Sequence, residues 1–503
     1  MSLCRIRLLA LTLAIALGTT GPAAAQGVLR IGLNDDPDAL DPTISRAYTG
    51  RLVFAALCDK LFDVTPDLKI VPQLATGFEW APDQRSIVIK LRPGVKFHDG
   101  EVLNAEAVKF NIERHISTPG SFRKTEIGQI SSVDVLNDLT VRFNLSEPLV
   151  PLLAALTDRA GMMVSPKAAR ALGDRLGTRP VCAGPFRFVE RVAQGRIALE
   201  RFADYWDKAS IHLDRVEFVP ITDSTARLAS LRSGDLHLIE RASPTDLPEI
   251  RGDARLKVVG VPELGYQMIP LNVANGPRSK TLADVRVRQA IDLAIDRETL
   301  VKTVFNNEYI PGNQWVSPGS TYYNARFPVA RRDVARARQL LKDAGQPNLT
   351  FTLIVPPERD RQEAAQIIQA MLAEAGITMN IQTQENVTML TNGRKGDFEA
   401  YFTFWSGRPD PDGNVFTQST CKGAQNDSHY CNADVDALLT KARQVADPAQ
   451  RKKLYDQATE IMVRDVPRLL LWHRRVFTAY SAKVTGFTPY PDGIIRLKGL
   501  KLN

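Results

Sequence analysis

The chain has 503 residues, 44% hydrophobic and 24% charged, with a formal net charge of +8. That length is too great for one comfortable core and the composition is that of an ordinary globular protein, which excludes a disordered, collagen-like or small disulfide-scaffold chain. The positive charge is spread thinly, with no lysine/arginine block interleaved with aromatics, so a solvated basic surface is expected and nucleic-acid binding is not.

The first element is a processing signal. Arg5 and Arg7 precede the apolar run "LLALTLAIAL", and Ala23 and Ala25 stand in the A-x-A pattern of a cleaved secretory leader. A cut near Ala25 leaves 503 − 25 = 478 residues and, with Arg5 and Arg7 gone, a net charge of +6. The apolar run is too short for a membrane span, and no later stretch reaches roughly 18 uncharged apolar residues. Cys4 precedes the run and is not placed as a lipid-attachment cysteine. An exported, unanchored periplasmic chain is expected.

The first half is rich in strands. "SIVIKLRPGVKF" (86–97) and "LTVRFNL" (139–145) alternate as antiparallel strands do, and 184–202 forms a hairpin around Gln194-Gly195. A helix begins after Asp284 and carries Val287, Ile291, Ala294 and Val301. Another runs from Asp333 through Ala337 and Leu341 to Gly345. From 349 the pattern is strand, helix, strand: Phe351, Leu353 and Val355 alternate. Ala364, Ile368, Met371 and Ala375 then recur at helical spacing up to Gly376, and Ile377, Met379 and Ile381 alternate again. Short connections make this a βαβ unit with parallel strands. "FEAYFTFW" reads as a further buried strand ending at Trp405. The expected class is α/β, in two lobes of different character.

The mature chain keeps four cysteines, and in an oxidising compartment an even count favours disulfides. Cys421 and Cys431 are the favoured pair. A zinc site with His429 lacks a fourth ligand. Cys58 and Cys182 are either bridged or buried.

Motifs of the common catalytic and nucleotide-binding sites are missing: no H-E-x-x-H, no P-loop, no G-x-S-x-G and no G-x-G-x-x-G. His98-Asp99 in "FHDG" reads as a turn, and "DPDGN" lacks the ligands of a calcium loop. No catalytic residue, metal or cofactor is expected. The stretch "TFWSGRPDPDGN" (403–414) is the exception to this plainness. Arg408 follows a strand end, where open α/β sheets bind ligands. It either offers its planar fork to an anionic group of a solute or neutralises Asp410 or Asp412.

Six stretches in order carry a resemblance that spans the mature chain: 73–114, "CAGPFRF" (182–188), "YWDKASIHLDRVEF" (205–218), "LADVRVRQAIDLAIDRETLV" (282–301), "ARQLLKDAG" (337–345) and 431–467. They resemble the family 5 extracellular solute-binding proteins, the peptide- and nickel-type binding components of bacterial ABC importers. The resemblance implies a two-lobed periplasmic-binding-protein fold of class II, cluster C. One lobe would comprise 26–265 with 476–503 and an inserted subdomain at about 66–180; the other would comprise 266–475. Chain crossings near Pro262–Tyr266 and His473–Phe477 would act as hinges.

It further implies a monomeric protein that captures a peptide-like or small polar solute and delivers it to a permease with its ATPase subunits. A metal-chelate binder of the nickel or haem type, and more remotely an exported hydrolase, are the alternatives. Trp405, Ser406 and Gly407 match the W-T-G of dipeptide-binding relatives, whose next residue is an ammonium-binding aspartate. Here that position is Arg408, so a different specificity is implied. Asp410 belongs to the same loop, and Arg359 falls near a carboxylate-binding arginine of those relatives.

Overall fold

The computed structural model describes residues 27–503; the leader, Cys4 and the cut at Ala25 lie outside them. The first lobe is built on a seven-stranded mixed sheet that gathers distant parts of the chain. Val28–Leu33 pairs in parallel with Arg215–Pro220 and with Leu238–Ile239. The late strand Arg475–Ser481 inserts antiparallel between Leu238–Ile239 and Leu256–Pro262. Leu29, Ile31 and Leu33 are completely buried, as the alternation of "VLRIGL" requires of a strand covered on its core face. The hairpin Phe186–Val192/Arg196–Arg201 closes the other edge, with Gln194 at φ 57° in its turn.

A separate antiparallel sheet of four strands, ordered Ala75–Trp80, Ser86–Leu91, Thr140–Leu145, Ile130–Asn137, packs on the helix Ala105–Ser117. It has its own core of Ile87, Ile89, Val108, Ile112, Val141 and Phe143. The expected strand 86–97 stops at Leu91, because Arg92–Gly94 turns the chain with Gly94 at φ 73°.

The second lobe holds two sheets. Thr350–Val355, the helix Arg359–Ala373 and Thr378–Thr383 form the expected βαβ unit, in parallel register from Thr350 opposite Thr378. The second sheet runs Ile310–Pro311, Arg468–His473, Tyr266–Pro270, Thr403–Trp405. Two expectations need correction. The single strand at 398–405 is two: Ala400–Tyr401 joins the parallel sheet and Thr403–Trp405 the antiparallel one. Fully buried Phe402 sits at the changeover, its N–H still donating to Ile354 O. The helix after Asp284 also divides, into Val285–Leu293 and Arg297–Phe305, because Asp296 caps a new start by accepting from Thr299 N.

Only Glu263–Gly265 separates Leu256–Pro262 from Tyr266–Pro270, and only Arg474 separates Arg468–His473 from Arg475–Ser481. These two short passages lead from one lobe's sheet to the other's. Cys58 is bonded to Cys182 and Cys421 to Cys431, while His429 is exposed. The second bridge closes a ten-residue separation. Replacing both of its cysteines by serine is expected to lower stability by about 2 to 3 kcal/mol, read as a shifted urea midpoint without loss of the fold.

Candidate ligand-binding cleft

A cleft lies between the lobes. Its walls are strand ends and the turns that follow them. Asn34 and Asp35 follow Val28–Leu33, Glu358 follows Thr350–Val355, and Ser406 and Arg408 follow Thr403–Trp405. Asn34, Asp35 and Glu358 follow parallel strands, whose carboxyl ends an open α/β sheet leaves free for a ligand, whereas Ser406 and Arg408 leave a strand of the antiparallel sheet. Arg46 to Thr49, at the start of the helix Tyr48–Leu57, complete the first lobe's side.

Charge is sorted along the cleft. At one corner Asp35 and Glu358 stand together with Asn386. Burial pushes the Asp35 carboxyl up to about 7 and the charge of Glu358 adds to this, while Asn386, the Asp36 N–H and the charge of Arg361, itself 3.3 Å from Glu358, oppose it. One oxygen of that carboxyl, Oδ2, is buried without a hydrogen-bond partner, which for a buried carboxylate is costly until a cation or donor arrives.

At another corner arginines outnumber acids. Arg408 Nε lies 2.7 Å from Asp158 Oδ2, Arg51 Nε lies 3.1 Å from Asp158 Oδ1, and Arg159 Nε is 3.9 Å from the same carboxylate. Although burial alone would raise the Asp158 carboxyl, Arg408, Arg51 and Arg159 hold it well below the usual range. The Arg408 guanidinium is brought down to about 9 by burial and by repulsion from Arg51, with Asp158 only partly compensating. Burial and the Arg123 charge bring Arg159 down to about 10. Three guanidinium groups around one carboxylate leave a cationic surplus facing the cleft through Arg159 and Arg408.

Between these corners the wall is aromatic and polar. Tyr401 donates to Asp427 Oδ2 at 2.6 Å, and Arg46 pairs with the same oxygen at 2.6 Å across the lobes. Tyr48, Phe404 and Trp405 supply ring surface, and Arg468 is held by Gln418. Beneath Phe404 three guanidinium groups gather: Arg241 at 4.3 Å, Arg474 at 4.5 Å and Arg361 at 5.1 Å from its ring centre.

The residues expected from sequence fall into two groups. Trp405, Ser406 and Arg408 line the cleft. Arg408 pairs with neither Asp410 nor Asp412, the two partners considered in its own loop. Asp410 is engaged by Arg451 at 2.8 and 2.9 Å and Asp412 by Arg443 at 3.1 Å, which leaves Arg408 to Asp158 from the other side. The loop is shaped by Asn414, whose Oδ1 accepts from Arg408 N at 2.7 Å while its Nδ2 donates back to Arg408 O.

Gly407, Asp410 and Arg359 lie outside the cleft wall. Gly407 has φ 72°, and a Cβ there would meet the Leu264 backbone at 2.4 Å, so it serves the close packing of loop against chain passage. Arg359 is exposed and pairs with Glu363 one turn along its helix, at 2.9 Å; two positions on, Arg361 is the buried arginine. Sequence reasoning missed Asp35, Glu358, Arg46, Arg159, Tyr401 and Asp427. The strand-end rule applied to Arg408 holds for Asp35 and Glu358, which follow parallel strands, while the strand before Arg408 is antiparallel.

Among the described residues, no group of three or more His, Cys, Asp and Glu side chains is placed to hold a metal ion, and no helix is long and apolar enough to cross a membrane.

Residues 69–427 match the model for bacterial extracellular solute-binding proteins, family 5 Middle. The chain is 29% identical to the glutathione-binding protein GsiB of Pectobacterium atrosepticum, over 95% of each chain. Among solved structures it is similar to the ABC transporter-associated periplasmic binding protein DppA of Helicobacter pylori in complex with the peptide STSA. The TM-score is 0.88 and the identity 26%, covering 95% of this chain and 98% of that one. It is also similar to the binding protein AgaA of A. tumefaciens R10 in complex with agropinic acid, with TM-score 0.86, identity 27%, and coverage of 95% and 99%. These neighbours share the two-lobed arrangement. The chain therefore belongs to the family 5 bacterial extracellular solute-binding proteins, the solute-binding components of ABC importers.

Proposed function

We propose that this protein captures a short peptide or peptide-like zwitterion in the cleft between its lobes and presents it to a membrane permease driven by ATPase subunits. The observation that carries the reading is the sorting of charge: an ammonium group suits the corner of Asp35 and Glu358, and a carboxylate suits the surplus of Arg159 and Arg408. A relative named for glutathione and a neighbour holding the peptide STSA support it, since both ligands carry an amine and a carboxylate.

The protein acts as a monomer in the periplasm after removal of the leader, and does no chemistry on its solute. Lobe closure turns on Glu263–Gly265 and Arg474, dividing the chain into 26–265 with 476–503, including the subdomain at about 66–180, and 266–475. Binding of glutathione and of free, N-acetylated and C-amidated tripeptides, measured by calorimetry, tests the ligand. Each blocking group is expected to cost about ten- to a hundredfold, the value of one charge-assisted contact. Equal affinity for free and blocked peptides would overturn the reading.

A further inference from the structure

We infer that the Arg408–Asp158 pair is the end wall of the cleft and sets the length of chain the protein accepts, an inference that rests on the peptide reading above. Arg408 lines two spaces at once: the cleft and a second interlobe crevice that continues beyond it. Its side chain, only 9% exposed, fills the throat between them. Three contacts fix it there. Nε meets Asp158 at 2.7 Å, Nη1 donates to Gly407 O at 2.7 Å, and Nη1 reaches Ser406 Oγ at 3.3 Å. Arg51 ties the same two partners from the first lobe, bonding Asp158 through Nε at 3.1 Å and Ser406 Oγ through Nη1 at 3.0 Å. The stem of the side chain packs directly on Gly413, where an added Cβ would stand 2.6 Å from the Arg408 Cβ and Cγ.

The crevice is dressed for a residue rather than for a charge. Pro151, Ala154, Ala155 and Phe416 line it, and its four carboxylates are already engaged: Glu126 by Arg123, Asp158 by Arg408 and Arg51, Asp410 by Arg451 and Asp412 by Arg443. A peptide whose carboxylate meets the near side of Arg408 ends at the wall. One residue more, small or apolar, finds space only if the wall is removed.

The test is calorimetric titration with alanine peptides of two to six residues, comparing for each protein the ratio of long- to short-peptide affinity, which cancels any general weakening. The wild-type protein is expected to lose about tenfold or more at the first peptide too long for the cleft. Arg408→Ala moves that break by one or two residues, whereas Arg408→Met, which keeps the bulk and loses the charge, leaves it in place. Arg408→Ser is the second opening variant should alanine prevent folding. Adding Ala155→Phe to Arg408→Ala fills the crevice and restores the original break. A break at the same length in wild type and opened variants, or no break in the wild type, overturns the wall while leaving the peptide reading intact. Failure of every alanine peptide to bind the wild type sinks the peptide reading and the wall together.

Discussion

Taking the pH from 8 to 5 is expected to weaken binding of a zwitterionic tripeptide about a hundredfold in the wild-type protein and far less in Asp35→Asn. The Asp35 carboxyl of the unliganded protein titrates at about 7, because burial and the adjacent Glu358 charge both disfavour its ionised form. An ammonium group binds the carboxylate and not the acid, so below about pH 7 each unit of acidification costs about tenfold in apparent affinity. The sign for stability is the opposite of the usual carboxylate case. The folded pKa of Asp35 lies above its unfolded value, so its contribution to the unliganded fold is fully present below about pH 4 and is lost as pH rises through 7. Asp35→Asn should accordingly melt higher than wild type at pH 8 without ligand, yet bind the peptide more weakly there. Calorimetric titrations at four pH values, in buffers of different ionisation enthalpy, also count the proton released. A flat affinity from pH 5 to 8 in the wild type would place the ammonium elsewhere.

Glu263→Gln is expected to destabilise the protein by about 3 to 5 kcal/mol, the cost of leaving buried cations without their anion. Glu263 lies in the first passage between the lobes and its side chain is fully buried. It pairs with Arg241 at 2.5 Å and, through both oxygens, with Arg474 at 2.8 and 3.1 Å. Arg474 is the whole of the second passage, so this one carboxylate ties the two crossings together. Burial would raise its pKa, but Arg241 and Arg474 outweigh that and hold it below the ordinary glutamate value. Arg241 is held at φ 50°, an uncommon backbone state for a side chain of its size, and it stacks 3.6 Å from the Tyr48 ring centre. Without Glu263, Arg241 and Arg474 would stand charged and buried against the Phe404 ring. Urea unfolding gives the magnitude. A loss below about 1 kcal/mol would mean that water reaches the guanidinium groups and that the cluster is not dry.

How much of this was legible beforehand depends on the distance over which each feature is decided. The βαβ unit at 350–383 was readable because its alternating and helical periods are local. The antiparallel strands near 86 and 140 were readable for the same reason. The break of the helix at Asp296 was missed although Asp296 is a good cap, because the apolar positions Ala294 and Val301 continue at helical spacing across it. The division of 398–405 between two sheets could not be seen, since both pieces are apolar and only their partners, Leu353–Ile354 and Tyr266–Met268, separate them. The site shows the same limit. Arg408 was found from its place after a strand, but its partner lies 250 positions earlier, in Asp158. Loop neighbours Asp410 and Asp412 looked the natural partners until Arg451 and Arg443, on later helices, took them. The buried Glu263–Arg474 pair likewise joins residues that no local pattern connects.

The central claim, that the cleft takes a short peptide by both of its charged ends, is tested most directly by native mass spectrometry of the protein purified from its own periplasm without denaturation. The account predicts a discrete added mass that fragments as a short peptide with a free amine and a free carboxylate. Retention of a metal chelate, a neutral sugar or a solute lacking either charged group would contradict it, as would an unmodified mass that stays unmodified after incubation with glutathione and free tripeptides.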